Sequence, residues 1–175
     1  MIDASKDTLE MVLSWLYTGC LIPFAKGERM LSQYWEVFLF ADIYECPALR
    51  RTVMTTIQKS CGSGRRVFFA YRTIRKVYSM TPENSAIRCY VSEFYANHWK
   101  PSKDNIELAN GLADKYCYQD APVDFFYDVM TLLSTLDKTK PPCLCCSDFC
   151  RYHNHESEEE RLASMCLSST RSGHG

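Results

Sequence analysis

A run of cysteine and histidine residues near the carboxyl end has the residue types and spacing to bind a metal ion. Cys143 and Cys146 form a C-x-x-C pair, and Cys150 and His153 form a C-x-x-H pair. Zinc prefers four sulfur or nitrogen ligands in a tetrahedron, and a C-x-x-C spacing lets two thiolates reach one ion. These four residues are therefore candidate zinc ligands, but the leading interpretation is a cysteine-rich peptide that binds metal only adventitiously, with a structural zinc site as the alternative.

The spacing of this cluster is unusual for a structural zinc site. Only Ser147, Asp148 and Phe149 separate the two pairs, whereas structural sites usually have a longer link. Cys145 and His155 lie beside the pairs, and either of them could replace a neighbouring ligand.

The sequence carries no enzyme motif. It contains no G-x-S-x-G, no G-x-x-x-x-G-K-[ST] and no H-E-x-x-H, which are the patterns of hydrolases, phosphate-binding loops and zinc proteases. Gly62 and Gly64 form a G-x-G without the third glycine, which we interpret as a turn between helices. No local pattern supplies His98 with a nucleophile, so we interpret it as a packed or surface histidine. We predict a protein without catalytic activity.

Five basic residues lie close together in the middle of the chain: Arg65, Arg66, Arg72, Arg75 and Lys76. A basic helix can bind the phosphates of nucleic acid. The whole chain, however, has 20 basic and 21 acidic residues and a net charge of -1. We therefore predict that these charges form the solvated face of an amphipathic helix and that the protein binds no nucleic acid.

Length and composition indicate one globular domain with a tail. The chain has 175 residues, of which 46% are hydrophobic and 13% aromatic, enough to build a core. No apolar run approaches the roughly 20 residues that span a bilayer, and the first residues do not resemble a signal peptide. Six of the ten cysteines stand singly, which favours reduced thiols and an intracellular location. Nucleus and cytoplasm are not distinguished.

Hydrophobic periodicity predicts a mainly α fold. The expected helices span residues 7–17, 32–44, 48–59, 66–79, 82–98, 106–116 and 123–136. The first should bury Leu9, Val12, Leu13 and Leu16, widened by Met11 and Trp15, and the last should bury Val123, Phe126, Tyr127, Met130 and Leu133. Residues 20–24 form at most one short edge strand, because Pro23 cannot donate a hydrogen bond to a sheet.

Two motifs resemble a known family. W-L-Y-T-G at residues 15–19 and A-D-I-Y-E-C-P-A-L-R at residues 41–50 resemble the second half of BTB/POZ domains. Residues 73–85 and the closing residues 150–155 resemble the helical extension of filamentous-fungal BTB proteins. The resemblance covers roughly residues 3–155. It implies a partial BTB/POZ-like domain over residues 1–61, a helical extension over 65–137, and a Cys/His-rich segment with a disordered tail over 138–175.

The resemblance also implies a function, which is the recognition of other proteins. Family members form homo- or heterodimers, and some deliver substrates to cullin-type ubiquitin ligases. The cullin-binding pattern has an acidic residue where this chain has Met11, and the family's first half would lie upstream of Met1. Trp15, Tyr17, Phe24 and Tyr34 are our candidates for contacting a partner. The rival hypotheses are a small zinc-binding regulator and a fragment with no function of its own.

Overall fold

The computed structural model describes residues 4–62, 67–100, 120–135, 143–153, 155 and 157–163. These residues form helices and connecting turns and contain no strand, which confirms the mainly α prediction. The helices are α1 (Lys6–Thr18), α2 (Glu28–Ile43), α3 (Pro47–Gly62), α4 (Tyr71–Met80), α5 (Ala86–His98), α6 (Val123–Thr135), α7 (Leu144–Ser147) and α8 (Glu158–Ala163), with a 3₁₀ turn over Phe149–Tyr152. None of the described helices has both the length and the hydrophobicity to cross a membrane. The helix predicted over residues 106–116 lies outside the described residues.

The ends of α1 follow from its sequence. The Ser5 side chain accepts a hydrogen bond from the Thr8 backbone N–H, at 3.2 Å, which satisfies one of the free donors of the first turn. At the other end Gly19 has a φ of 71° and donates its N–H to the Trp15 carbonyl, at 2.8 Å. A left-handed glycine in this place is a common way to end a helix, and α1 ends at Thr18, one residue beyond the predicted bound.

Gly19→Ala should lower the free energy of unfolding by about 1 kcal/mol, because an L side chain is strained at this backbone angle. No atom lies within 4 Å of the added Cβ, so the loss would come from the backbone and not from a clash. Gly62→Ala is the control, since Gly62 lies at the end of α3 with negative φ and its added Cβ meets only ordinary contacts at 3.9 Å. Chemical denaturation of both variants measures the difference, and equal stability would contradict the strain argument.

A single hydrophobic core connects the helices. Its largest buried side chains include Trp35 and Phe38 from α2, which pack with residues of α1 and α3. On the other side, the rings of Tyr95 from α5 and Phe125 from α6 make an edge contact with centroids 5.1 Å apart. Helix α5 therefore packs against both α4 and α6 and ends at the Cys/His-rich segment.

The fourth helix begins later than the sequence pattern predicted. Residues 67–70 are not helical, and α4 starts at Tyr71. In this stretch Phe69 is buried, and its carbonyl accepts a hydrogen bond from the Tyr95 hydroxyl at 2.5 Å. Burial of Phe69 and the hydrogen bond from the Tyr95 hydroxyl both stabilise this non-helical stretch. Arg72, Arg75 and Lys76 lie on the exposed side of α4, as the amphipathic interpretation predicted.

Helix α1 turns a different face to the core than the one predicted. Met11 and Val12 are buried as expected. Leu9, Leu13 and Leu16, however, are 44%, 51% and 63% exposed, and they lie three or four residues apart on one side of the helix. Because α1 is apolar over much of its circumference, its sequence did not determine which side would face α2.

In helix α6, too, the buried face differs from the predicted one. Its buried residue is Phe125, whereas Val123, Phe126, Tyr127 and Met130 are exposed. The Phe125 ring lies in an aromatic group with Tyr71, Tyr78 and Tyr95, which are supplied by α4 and α5. The predicted inward face is therefore wrong, because an aromatic pocket formed by other helices selects Phe125.

Candidate metal centre

Four potential metal ligands come together from two distant parts of the chain. His98 is the last residue of α5, and Cys143 immediately precedes α7. Cys145 and Cys146 lie within α7, which is a single turn packed against α3 and α5. One ligand atom from each of these residues lies within 4.8 Å of all the others.

The His98 ring is the centre of this group. Its Nε2 atom lies 3.1 Å from the sulfur of Cys143, 3.2 Å from that of Cys146 and 3.4 Å from that of Cys145. The sulfurs of Cys145 and Cys146 are 3.9 Å apart. The imidazole nitrogen thus faces three sulfur atoms at nearly equal distances.

These distances can be compared with the edges of a metal-centred tetrahedron. With zinc bonds of about 2.3 Å to sulfur and about 2.0–2.1 Å to nitrogen, a tetrahedron has S–N edges of about 3.5 Å and S–S edges of about 3.8 Å. The observed separations of 3.1–3.4 Å and 3.9 Å are within a few tenths of an ångström of these values. The four side chains therefore have the ligand types and the spacing to hold one metal ion.

The burial of the four side chains also suits a structural ion. Cys145 and His98 are buried, and Cys143 and Cys146 are half-buried. A hydrogen bond with the Cys145 thiol, together with one to the His98 ring, lowers the pKa of Cys146. The hydrogen bond to Cys146 and burial raise the pKa of Cys145. The site thus already favours one thiolate, the form of cysteine that binds metals.

Contacts with α3 position the backbone of the cysteine-bearing turn. The Gln58 amide donates hydrogen bonds to the carbonyls of Cys145, at 3.5 Å, and Asp148, at 3.2 Å. Asp148 ends α7, and its carboxylate accepts from the backbone N–H groups of Cys150 and Arg151 at 3.0 and 3.2 Å. This carboxylate caps the following 3₁₀ turn and so directs the chain away from the four ligands.

A second anchor joins the segment to α5, one and a half turns before His98. The Arg151 guanidinium donates to both carboxylate oxygens of Glu93, with distances of 2.8–3.2 Å. The buried Tyr152 hydroxyl donates to the same carboxylate at 2.7 Å. A forked guanidinium–carboxylate pair has a strict geometry, so Glu93 fixes the orientation of the 3₁₀ turn.

The ligand set seen in the structure differs from the set that the spacing predicted. Cys143 and Cys146 belong to the cluster, but Cys150 and His153 do not. His153 lies instead against α3, with Nε2 3.2 Å from the Thr55 hydroxyl, and burial lowers its pKa to about 4. The physical reason is the turn at Asp148, which places the C-x-x-H pair beside an open cavity of about 550 Å³ and not beside the first pair.

The sequence alone did not indicate His98 as a ligand, and it indicated Cys145 only as a possible replacement for a neighbouring ligand. His98 precedes the cysteines by some 45 residues, so no local spacing indicates it. No other signal in the sequence indicates it, because its ring packs on Phe94, one turn earlier in α5, as that of a structural histidine would. Among the residues that the structure describes, His98, Cys143, Cys145 and Cys146 are the one group of this kind.

The four predicted partner-binding residues have different environments. Tyr17 and Phe24 are exposed, at 87% and 58%. Trp15 is half-buried against the core and donates its indole N–H to the Thr52 hydroxyl at 3.2 Å. Tyr34 is 3% exposed, so it belongs to the core and its side chain is not accessible to a partner in this structure.

Comparison with known proteins assigns no family. No protein-family model matches the chain, and no solved structure matches it. The human WD repeat-containing protein 70 is 38% identical to it over 65 residues, which are 35% of this chain and 9% of that protein. The chain thus spans less than a tenth of that relative.

Proposed function

We propose that this protein is a non-enzymatic interaction module of the BTB/POZ type that binds another protein chain through α1. The observation that carries this proposal is the exposed apolar stripe of α1, formed by Leu9, Leu13, Leu16 and Tyr17. Contiguous apolar surface of this kind on a soluble protein commonly marks a binding site. The BTB/POZ-like motifs support the same role, because W-L-Y-T-G includes Leu16 and Tyr17.

The opposite side of α1 is firmly attached, which leaves the stripe available for a partner. The Ser5 and Thr8 hydroxyls donate to the Glu36 carboxylate of α2 at 2.9 and 3.0 Å. The Trp15 indole is hydrogen-bonded to Thr52 of α3. These contacts fix the rotation of α1 about its axis. The stripe therefore presents a preformed surface, and we propose a second copy of this chain as the occupant when the protein is purified alone.

The double substitution Leu13→Glu and Leu16→Glu should abolish this self-association. Charges in the middle of an apolar interface would have to be buried without a partner, which costs several kcal/mol. Light scattering across a concentration series should show the wild type shifting from monomer towards dimer and the variant remaining monomeric. Met130→Glu on α6 is the matched control, because Met130 is also an exposed apolar residue, 65% accessible, but lies outside the stripe. A monomeric wild type at all concentrations would contradict the choice of occupant.

A second proposal concerns the metal centre, which we assign to one structural zinc ion. Three thiolates and one imidazole form one of the common ligand sets of structural zinc. Neither role requires a catalytic residue. An intracellular compartment, where thiols stay reduced, would suit both.

Freshly purified protein that has not been exposed to a chelator should therefore contain about one zinc ion per chain. Elemental analysis by mass spectrometry, compared with protein concentration from amino-acid analysis, measures this ratio. Growth medium supplemented with zinc, iron and copper in equal amounts tests the choice of metal. Protein free of zinc, or loaded mainly with another metal, would contradict the proposal.

A further inference from the structure

The segment of residues 143–153 cannot hold its conformation on its own. It consists of one helical turn and one 3₁₀ turn, and isolated helices shorter than about 12–15 residues are marginal in water. Its backbone N–H groups nevertheless make hydrogen bonds within the segment, for example from Cys146 to Cys143 and from Asp148 to Leu144 at 3.1 and 2.9 Å. The order of this segment must come from its contacts with α3 and α5.

The contacts with α5 form two anchors on that helix, in addition to the hydrogen bonds from Gln58 of α3. The 3₁₀ turn is attached to Glu93 through Arg151 and Tyr152, and α7 meets His98 through the cluster. Without a metal, the anchor at His98 would place three cysteine side chains against one imidazole, with thiol hydrogen bonds as its only polar contacts besides those of Gln58 to the backbone of α7. Thiols are weak hydrogen-bond donors, so this anchor depends on the ion.

We infer that the metal acts as a clasp, which docks residues 143–153 onto α3 and α5 and so covers this face of the helical body. The inference rests on the proposed zinc site. The docked segment places Cys145 and Tyr152 in the core, and the Tyr152 ring meets the Tyr90 ring edge-on with centroids 5.1 Å apart. Loss of the ion releases α7, weakens the hold of the 3₁₀ turn and uncovers Tyr90.

Helices α1 to α6, which we call the helical body, should stay folded when the metal is lost. Its largest buried groups, such as Trp35, Phe38 and Leu49, come from α2 and α3, and Phe125 fills the aromatic group on α4 and α5. None of these side chains belongs to residues 143–153. Metal loading therefore decides between a covered and an uncovered α3–α5 face, with the rest of the fold retained.

Hydrogen–deuterium exchange on the full chain tests this inference. Zinc-loaded protein is compared with protein from which a chelator has removed zinc, and zinc is then added back. We expect the amides of Cys146, Asp148, Arg151 and His153 to exchange at least tenfold faster without zinc, and to recover with it. Amides in the middle of α2 should change less than twofold. Cys89→Ser, an exposed cysteine of α5 outside the cluster, should behave as the wild type does.

The outcomes separate the clasp from the zinc site itself. A chain that never holds zinc would overturn both proposals. Stoichiometric zinc whose removal leaves the segment protected would overturn the clasp and leave the zinc site standing. Loss of protection throughout α2 and α3 on chelation would also overturn the clasp, because the ion would then hold the whole fold. His98→Ala should reproduce the chelated pattern in protein that is never exposed to a chelator.

Discussion

His98→Ala should reduce the zinc content from about one per chain to nearly zero and lower the melting temperature by about 8–16 °C. Removing the imidazole leaves three cysteine ligands and opens the buried side of the site. A ligand at a thousand times its Kd stabilises the folded state by about 4 kcal/mol, and each kcal/mol shifts the melting temperature by about 2–4 °C in a chain of this size. Elemental analysis and thermal denaturation followed by circular dichroism measure the two effects.

Single substitutions of the other candidate ligands distinguish the two possible ligand sets. Cys145→Ser should lose zinc as His98→Ala does, because Cys145 belongs to the cluster in the structure. Cys150→Ser and His153→Ala should retain it, since neither residue lies in the cluster. The opposite pattern would mean that the C-x-x-C and C-x-x-H pairs bind the ion together, as their spacing alone predicted. Zinc lost equally from all four variants would indicate general unfolding, which circular dichroism would reveal.

Glu93→Ala should lower the free energy of unfolding by about 1.5–3 kcal/mol. The Glu93 carboxylate accepts hydrogen bonds from the Arg151 guanidinium and from the buried Tyr152 hydroxyl. Hydrogen bonds to charged groups contribute about 1.5–3 kcal/mol, and a buried donor without an acceptor loses its solvation. Arg151 is partly exposed and can be hydrated, so most of the loss would come from Tyr152. Urea denaturation followed by fluorescence gives the difference.

Two variants serve as comparisons for this prediction. Glu93→Gln keeps an acceptor for Tyr152 but removes the charge that pairs with Arg151. We therefore expect it to lower the free energy of unfolding less than Glu93→Ala does. The double variant Glu93→Ala, Tyr152→Phe should have nearly the same free energy of unfolding as Glu93→Ala. In the double variant the hydroxyl that would lack an acceptor is no longer present. Both variants should retain zinc, since the ligands are unchanged. Wild-type stability in Glu93→Ala would show that the second anchor contributes nothing.

The main features determined by the sequence alone are local ones. Periodic apolar residues gave the approximate positions of α1, α2, α3, α5 and α6, because a helix forms through contacts between residues three and four apart. Gly19 ended α1 because glycine adopts the left-handed backbone at little cost. Cys143 and Cys146 belong to one cluster because their separation brings both sulfurs to the same side of a single turn.

The tertiary structure decided which surfaces of these helices meet. In α1 and α6 the apolar residues cover more than one side, so periodicity admits several rotations about the helix axis. The hydrogen bonds of Thr8 and Trp15 select one rotation for α1, and the aromatic pocket for Phe125 selects one for α6. The exposed stripe that we propose as the interaction surface is a consequence of this choice, and of its four residues the sequence alone indicated only Tyr17 as a contact for a partner.

The complete ligand set was likewise decided by the tertiary structure. His98 approaches the cysteines only because α7 docks at the end of α5, and Cys150 and His153 lie elsewhere because the Asp148 carboxylate turns the chain between the pairs. Spacing along a sequence predicts ligands that one turn can bring together. A ligand from a distant helix depends on how the helices pack, which is a property of the whole core and is not encoded in any short stretch of residues.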